Sequence, residues 1–287
     1  MNLSEEQVQQ ILQGITIPPQ PQILVDLQME QLQPEPDINH IAKLISQDVS
    51  LAGTVLKTVN SPFFSLSNTI TSINQAVTLL GYNSVINIAN GISIKGELED
   101  NVIVELNNFW DTAQDIALIA ASVARHIGYN KPDQAYSLGL FHNAGIPLMQ
   151  SRFSDYFETM RSSYAGQRER IIDLENEKYQ TNHAVIGYYA ASSWRLPKVV
   201  CHAIADHHNV YSLLASGART EMLTLLCVLK IAEHLVGNAQ RLGKCDIDIE
   251  WQQLSEELLS FVGLGAYDLE NIAATFRDQG IDIVNNI

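Results

Sequence analysis

The chain has 287 residues, 46% of them apolar, with 17 basic against 32 acidic side chains and a net charge of −15. That length and composition describe a chain able to bury a sizeable core, and exclude an intrinsically disordered one. The acidic excess repels phosphate backbones and anionic bilayer surfaces, and the richest basic stretch, Arg161 to Arg170, holds only three arginines with Glu169 among them. Neither nucleic acid nor membrane is therefore an expected partner. Cys201, Cys227 and Cys245 are widely spaced and odd in number, which argues against a disulfide framework. Met1 to Glu6 is too polar for a signal peptide, and no run reaches the roughly 18–20 apolar residues of a membrane span. A cytoplasmic protein is expected.

The helical signals begin at once. Ser4 and Gln7 form a capping box, with Leu3 and Val8 placed to staple the entry. Ile17-Pro18-Pro19-Gln20-Pro21 breaks the chain, and a second helix is predicted from about Gln22 to Leu32, ended by Pro34 and Pro36. Asp37 caps a third, whose face carries Ile38, Ile41, Ala42 and Ile45. A fourth runs from Val49 to Val59 and stops at Asn60-Ser61-Pro62; Ser72 with Gln75 opens Ile73–Leu80, which Gly81 closes. Gly96 to Asn101 is polar and short of core residues, and marks a boundary between an N-terminal lobe (1–100) and a C-terminal lobe (101–287). Next, Leu106, Phe109, Trp110, Ala113, Ile116, Ala117, Ala120, Val123, Ala124 and Ile127 recur at steps of three and four until Gly128. Further helices are predicted near 133–142, 153–164, 168–178, 182–195, 198–208, 220–238 and 250–261, with a lightly held tail past Phe276. No segment alternates with period two, so the fold class is all-α.

Six of the eight histidines lie between His126 and His208. His183 shares a helix face with Ile186, Gly187, Ala190 and Trp194, and His207 aligns with Val200, Ala203 and Ile204, so both point to the core. His142 follows Gly139-Leu140-Phe141 near a helix end, and His208 lies one step round from His207. Several inward imidazoles on different helices are what a helical metal site requires, provided a carboxylate joins them. Asp206 faces away; Glu233 is the better candidate.

Gly139-Leu140-Phe141-His142-Asn143-Ala144-Gly145 resembles the "GLLHDIG" segment of HD-domain phosphohydrolases. His183, then Trp194-Arg195-Leu196-Pro197 followed by His207-His208, and then Ala232-Glu233 resemble their later motifs in the same order. Leu56 to Phe63 around Asn60-Ser61, with Asp48 to Leu51, Ile73 to Val77, Leu80-Gly81 and Phe109-Trp110, resembles the N-terminal signature of the HD-related output domain, HDOD. The similarity covers about residues 15 to 240. It implies an N-terminal helical lobe packed on an HD-like helical bundle, and a bacterial signalling module that acts through a protein partner.

The departures from the HD pattern are specific. Its first histidine falls near Thr112, its His-Asp doublet is His142-Asn143, and its last aspartate is Glu233. By resemblance the surviving ligand candidates are His142, His183, His207, His208 and Glu233. They suffice for a single divalent transition ion (Zn, Fe or Mn) and are poorly equipped for two-metal hydrolysis. The expectation is thus a non-catalytic module with no required cofactor. The alternative is a metal-dependent phosphohydrolase with a reduced ligand set, acting on a phosphomonoester, nucleotide or cyclic dinucleotide. A third reading places a small anionic ligand in the cleft between the lobes, near His142, His183, His207 and Arg125. A homodimer is compatible with all three.

Overall fold

The computed structural model describes residues 5–17, 22–60, 64, 66, 68–86, 88–89, 100–165, 170–217, 219–278, 281 and 283, excluding the side chains of 5, 49–50, 100–108, 110 and 165. The Ser4 cap, the prolines at 18–21, Ser61-Pro62, the side chains of Leu106 and Trp110, and positions 96–99 of the lobe boundary lie outside these. Among the described residues the chain is helical, with no strand.

The N-terminal lobe comprises α1 (Glu5–Leu12), α2 (Gln22–Gln31), α3 (Ile38–Ser46), α4 (Val49–Val59) and α5 (Ile73–Leu80). Its helix starts are set locally. The Asp37 carboxylate accepts the Asn39 amide at 2.8 Å, and Asp48 accepts the Leu51 amide at 2.9 Å, each replacing a bond the first turn cannot make internally. Gly81 ends α5 with φ at +77°, a conformation that favours glycine. Asn60, just past α4, is a clamp: its side chain donates to Leu56 O and Ile70 O and accepts the Ile70 amide, tying the following loop to the helix end.

The C-terminal lobe begins with the long α6 (Asp100–His126), followed by α7 (Pro132–Phe141), α8 (Gly145–Arg152), α9 (Tyr156–Ala165), α10 (Ile171–Tyr179), α11 (His183–Ser193), α12 (Lys198–Asp206), α13 (Val210–Ala215), α14 (Glu221–Val236), α15 (Asn238–Arg241), α16 (Ile249–Val262) and α17 (Ala266–Asp278). α6 starts at Asp100, so the last two residues of the expected linker are already helical. α8 and α13 are not legible as helices in the sequence. Pro147 obscured α8, although proline is tolerated in a first turn, where its missing N–H is not needed. α17 buries Leu269, Ile272, Ala273 and Phe276; of the expected tail past Phe276, Ile283 is buried, and residues 279–280, 282 and 284–287 lie outside the described residues.

One hydrophobic cluster runs through both lobes, joining Leu24, Leu27, Ile45 and Val55 to Ile116, Ala120, Phe141, Trp194 and Leu229. A second cluster gathers Leu12 and Ile15 from the N-terminal segment with Phe109, Met149, Tyr156, Ile172 and Ile186. α7 and α14 pack on α6, and α12 packs on α7, α11 and α14. This arrangement turns the C-terminal end of α7, the start of α11, the end of α12 and the middle of α14 toward one another. The approach is close: a Cβ on Gly145 would lie 2.0 Å from the His183 carbonyl oxygen, and one on Gly139 would lie 2.6 Å from the Ala117 Cα. Only glycine lets α8 meet α11, and α7 meet α6, at these separations.

Candidate metal centre

Three imidazoles converge. The Nε2 atoms of His183 and His207 are 3.3 Å apart, and those of His183 and His208 are 3.1 Å apart. His183 and His207 are buried and His208 is half-buried. His183 opens α11, where Asn182 caps the helix by accepting the Val185 amide at 2.9 Å. His207 caps the C-terminal end of α12, and His208 follows it. These are the ligand atoms that lie within 4.8 Å of one another among the described residues.

What lies behind the rings decides how they present themselves. His207 Nδ1 is 2.7 Å from the Ile204 carbonyl, which can only accept, so Nδ1 carries the proton and Nε2 is a bare lone pair. His183 Nδ1 is 2.8 and 2.9 Å from the two oxygens of Glu175, and the His183 backbone amide donates to the same carboxylate at 3.0 Å. Glu175 is completely buried and also accepts the Tyr156 hydroxyl. His183 Nδ1 is thereby held against Glu175, and Nε2 is turned toward His207 and His208. Outward donation of the second ring N–H to a carboxylate or carbonyl is the usual setting of a metal-bound imidazole. Two ring nitrogens at 3.3 Å are held together by a proton or a cation between them. Nitrogens bound tetrahedrally at 2.0–2.1 Å stand about 3.3 Å apart, the spacing seen here, so the donor set suits a zinc-sized ion. Burial, then the neighbouring His183 and Lys230 charges, hold the His207 imidazole well below its ordinary pKa; burial, His207 and Lys230 do the same for His208. Both are neutral at physiological pH, as ligands must be.

The other two sequence candidates pair with each other beside the trio. His142 Nδ1 lies 2.9 Å from Gly139 O, and its Nε2 lies 3.2 Å from Glu233 Oε1. The His142 and His207 rings are neighbours, with centroids 5.4 Å apart. Glu233 is already engaged: Asn238 Nδ2 donates to Oε1 at 3.0 Å, and Lys230 Nζ sits 2.8 Å from Oε2 and 2.9 Å from Glu250 Oε2. Burial would raise the Glu233 pKa, but Lys230 and then His142 outweigh it and hold the carboxylate well below its usual range. Burial would lower the Lys230 pKa, and Glu233 and Glu250 together hold it above the ordinary value. The positions that depart from the HD pattern, Thr112 and Asn143, are both buried. Asp206 is partly exposed and accepts from Asn209, away from the trio.

Two functional residues escaped the sequence reading. Glu175 sits in an acidic stretch that resembles a solvated face, yet it is four residues after Ile171 and three after Ile172, both buried. Lys230 interrupts the apolar run of α14 with Glu233 three residues on, a spacing that pairs them on one face.

A cavity of about 220 Å³ opens beside the trio, with His208, Lys230, Glu233, Glu250 and Trp251 in its wall. All of its lining residues come from the C-terminal lobe, so it is not the cleft between the lobes. Arg125 is exposed and is not part of the wall.

The model of the HDOD domain matches residues 17–210. An uncharacterized protein of Treponema pallidum (strain Nichols) is 29% identical over 250 residues, covering 85% of this chain and 46% of that protein, so the chain spans about half the length of this relative. Two solved structures share the fold. One is titled "Putative phosphohydrolase" from Shewanella amazonensis SB2B, with a TM-score of 0.64 and 20% identity over 97% of this chain and 96% of that one. The other is titled "Putative signal transduction protein" from Marinobacter aquaeolei VT8, with a TM-score of 0.68 and 18% identity over 96% of this chain and 63% of that one. No helix among the described residues is long and apolar enough to cross a membrane. With the family model covering well over half of its length, this chain belongs to the HDOD domain family.

Proposed function

We infer that the chain is a non-catalytic signalling module that works by binding a protein partner, and that its altered HD site retains room for one divalent transition ion on His183, His207 and His208. The observation that carries this reading is where the carboxylates are. Glu175 is spent behind His183 as an orienting acceptor, and Glu233 is spent on Lys230 and Asn238. A two-metal phosphohydrolase needs anionic oxygens to bridge its ions and balance their charge. Among the described residues the convergent set is imidazole alone. When bound, the ion would cross-link α11 to the end of α12, and those helices would present a fixed surface to the partner. A cytoplasmic setting agrees with the absence of paired cysteines.

A second reading, a single-metal phosphohydrolase, has one specific observation in its favour. His208 belongs both to the trio and to the cavity wall, so a fourth position on the ion would face solvent. Three imidazoles with an open position can serve a hydrolytic zinc site. A small anionic ligand gains less support, because the cavity wall carries Glu233, Asp248 and Glu250 against Lys230 and Arg170.

One experiment separates these. Protein purified without chelator is analysed for bound metal and assayed against a phosphomonoester, a nucleotide panel and a cyclic dinucleotide. The expected result is at most one equivalent of metal, lost in His207→Ala, and no turnover. Metal-dependent hydrolysis that disappears in both His207→Ala and His142→Ala would overturn the non-catalytic reading.

A further inference from the structure

The cavity beside the trio is walled mostly by the C-terminal part of the chain. From Tyr211 to Leu258 its lining lies beyond residue 210, where the match to the family model stops. Its aromatic wall is held in place from behind. Asp248 accepts the Trp251 amide at 3.0 Å and lies 3.0 Å from His234 Nδ1. The His234 ring stacks on the indole, 5° from parallel, with centroids 4.1 Å apart. One face of Trp251 is thus covered, and the ring meets the cavity by its other face or its edge.

The polar wall is short of donors. Asn238 is 5% exposed and gives its Nδ2 to Glu233 Oε1, which sets the amide and leaves Oδ1 as an acceptor. That oxygen is buried without a hydrogen-bond partner among the described residues, a cost relieved only when a donor reaches it. Glu250 receives Lys230 at 2.9 Å, yet its side chain stays 39% exposed and its carboxylate is open to a further donor. Arg170 is committed to Asp173 by two bonds of 2.8 Å, and Lys230 is shared between Glu233 and Glu250. Glu233, Asp248 and Glu250 therefore outweigh the cations left to balance them.

Such a wall selects a ligand that is positive, rich in N–H donors and flat. An ammonium meets the first two conditions. A guanidinium or amidinium meets all three, since its planar fork can bond a carboxylate twice and lie against an aromatic ring. The volume of about 220 Å³ falls below the roughly 300–1,000 Å³ of most ligand sites, so the ligand is small.

We propose that this cavity binds a small planar organic cation, a guanidinium or amidinium, through Glu250 and Asn238 Oδ1 and against the Trp251 indole. The ligand ties α16 to α15 beside His208 and gives the module a chemical input separate from its protein partner. The site needs no ion at the trio, whose charge would oppose a cation in the adjoining space, so binding is measured on metal-stripped protein.

Isothermal titration calorimetry with benzamidine and with agmatine should show one site with a dissociation constant below about 1 mM. Benzamide, the neutral isostere of benzamidine, should bind at least tenfold more weakly. Glu250→Gln should lower benzamidine affinity at least tenfold, whereas Glu256→Gln, exposed on the same helix and outside the wall, should leave it unchanged. Gln253→Lys puts a positive charge at an exposed position of the wall and should weaken binding by a similar factor, which keeps the test open if Glu250→Gln does not fold. Agmatine should also alter tryptophan fluorescence in the wild type and not in Trp251→Phe. No saturation by either cation at about 10 mM, equal binding of benzamide, or unchanged affinity in the folded Glu250→Gln or Gln253→Lys variant overturns the proposal. Tighter binding of N-acetyl-arginine methylamide than of agmatine would assign the group to a partner's side chain and overturn the assignment to a free small molecule.

Discussion

Glu175→Gln tests the orientation of the centre most directly. The carboxylate has no solvent exposure and accepts three hydrogen bonds: from the Tyr156 hydroxyl, from the His183 amide at 3.0 Å, and from His183 Nδ1 at 2.8 Å. Glutamine keeps the volume but replaces one acceptor oxygen with an NH₂ that must face at least one of these donors. A buried donor left unpaired costs about 1–3 kcal/mol, and the new NH₂ adds a similar term, so the apo protein should lose about 2–5 kcal/mol. At this chain length that corresponds to a fall in thermal midpoint of roughly 4–10 °C, measured in the presence of chelator. The second readout is metal. With the lock on His183 Nδ1 gone, zinc affinity in competition with a chromophoric chelator should drop about 10–100-fold. Glu177→Gln, two residues on and exposed, is the control and should move neither quantity. A Glu175→Gln variant that melts within a degree of wild type and binds zinc equally well would show that the carboxylate does not hold His183 in its ligating orientation.

Gly145→Ala should cost at least about 3 kcal/mol, read by urea unfolding, because its Cβ would lie 2.0 Å from a backbone oxygen that cannot rotate away. Asn143→Asp restores the acidic member of the doublet beside His142 at a buried position and should strengthen zinc binding tenfold or more in a competition titration; unchanged affinity would show that position 143 does not face the centre. A thiol reagent at pH 8 should titrate one cysteine rapidly in the native protein and all three after denaturation. Burial pushes the Cys201 thiol up to about 11 and the Cys227 thiol up to about 12, whereas Cys245 is partly exposed; three fast native thiols would contradict that burial.

The helical architecture was legible because local rules and burial agree along this chain. The repeat from Ala113 to Ala124 in α6 is buried as its spacing requires, and Asp37, Ser72 and Gly81 act where capping chemistry places them. The inward side of His183 followed from its offsets to Ile186 and Ala190, both wholly buried. Grouping was not legible. His142 and Glu233 were matched to the same centre as the trio; the structure pairs them with each other and with Lys230 and sets the His142 ring against His207, an arrangement that helix spacing does not give because it fixes the face of a residue and not its depth along a neighbouring helix. Glu175 was hidden for a related reason. In Asp173-Leu174-Glu175-Asn176-Glu177 the exposed and buried acids look alike in composition, and only the phase against Ile171 and Ile172 separates them.

The same geometry bears on whether the histidines are simply core residues. A histidine kept for packing satisfies its ring in the cheapest way, by donating from one nitrogen and accepting at the other. Here His183 and His207 both donate outward, to Glu175 and to Ile204 O, and turn their Nε2 atoms on each other at 3.3 Å. A packing cluster free to choose its tautomers would have reversed one ring so that an N–H bridged the pair. The Ile204 carbonyl prevents this for His207, since it cannot donate. A carboxylate prevents it for His183, at the cost of burying an acid with no exposure at all. Two independent locks, one of them expensive, turn both Nε2 atoms to one place, where His208 Nε2 also lies, 3.1 Å from that of His183. That convergence is the structural ground for proposing an ion at His183, His207 and His208, although the motif itself centres on His142.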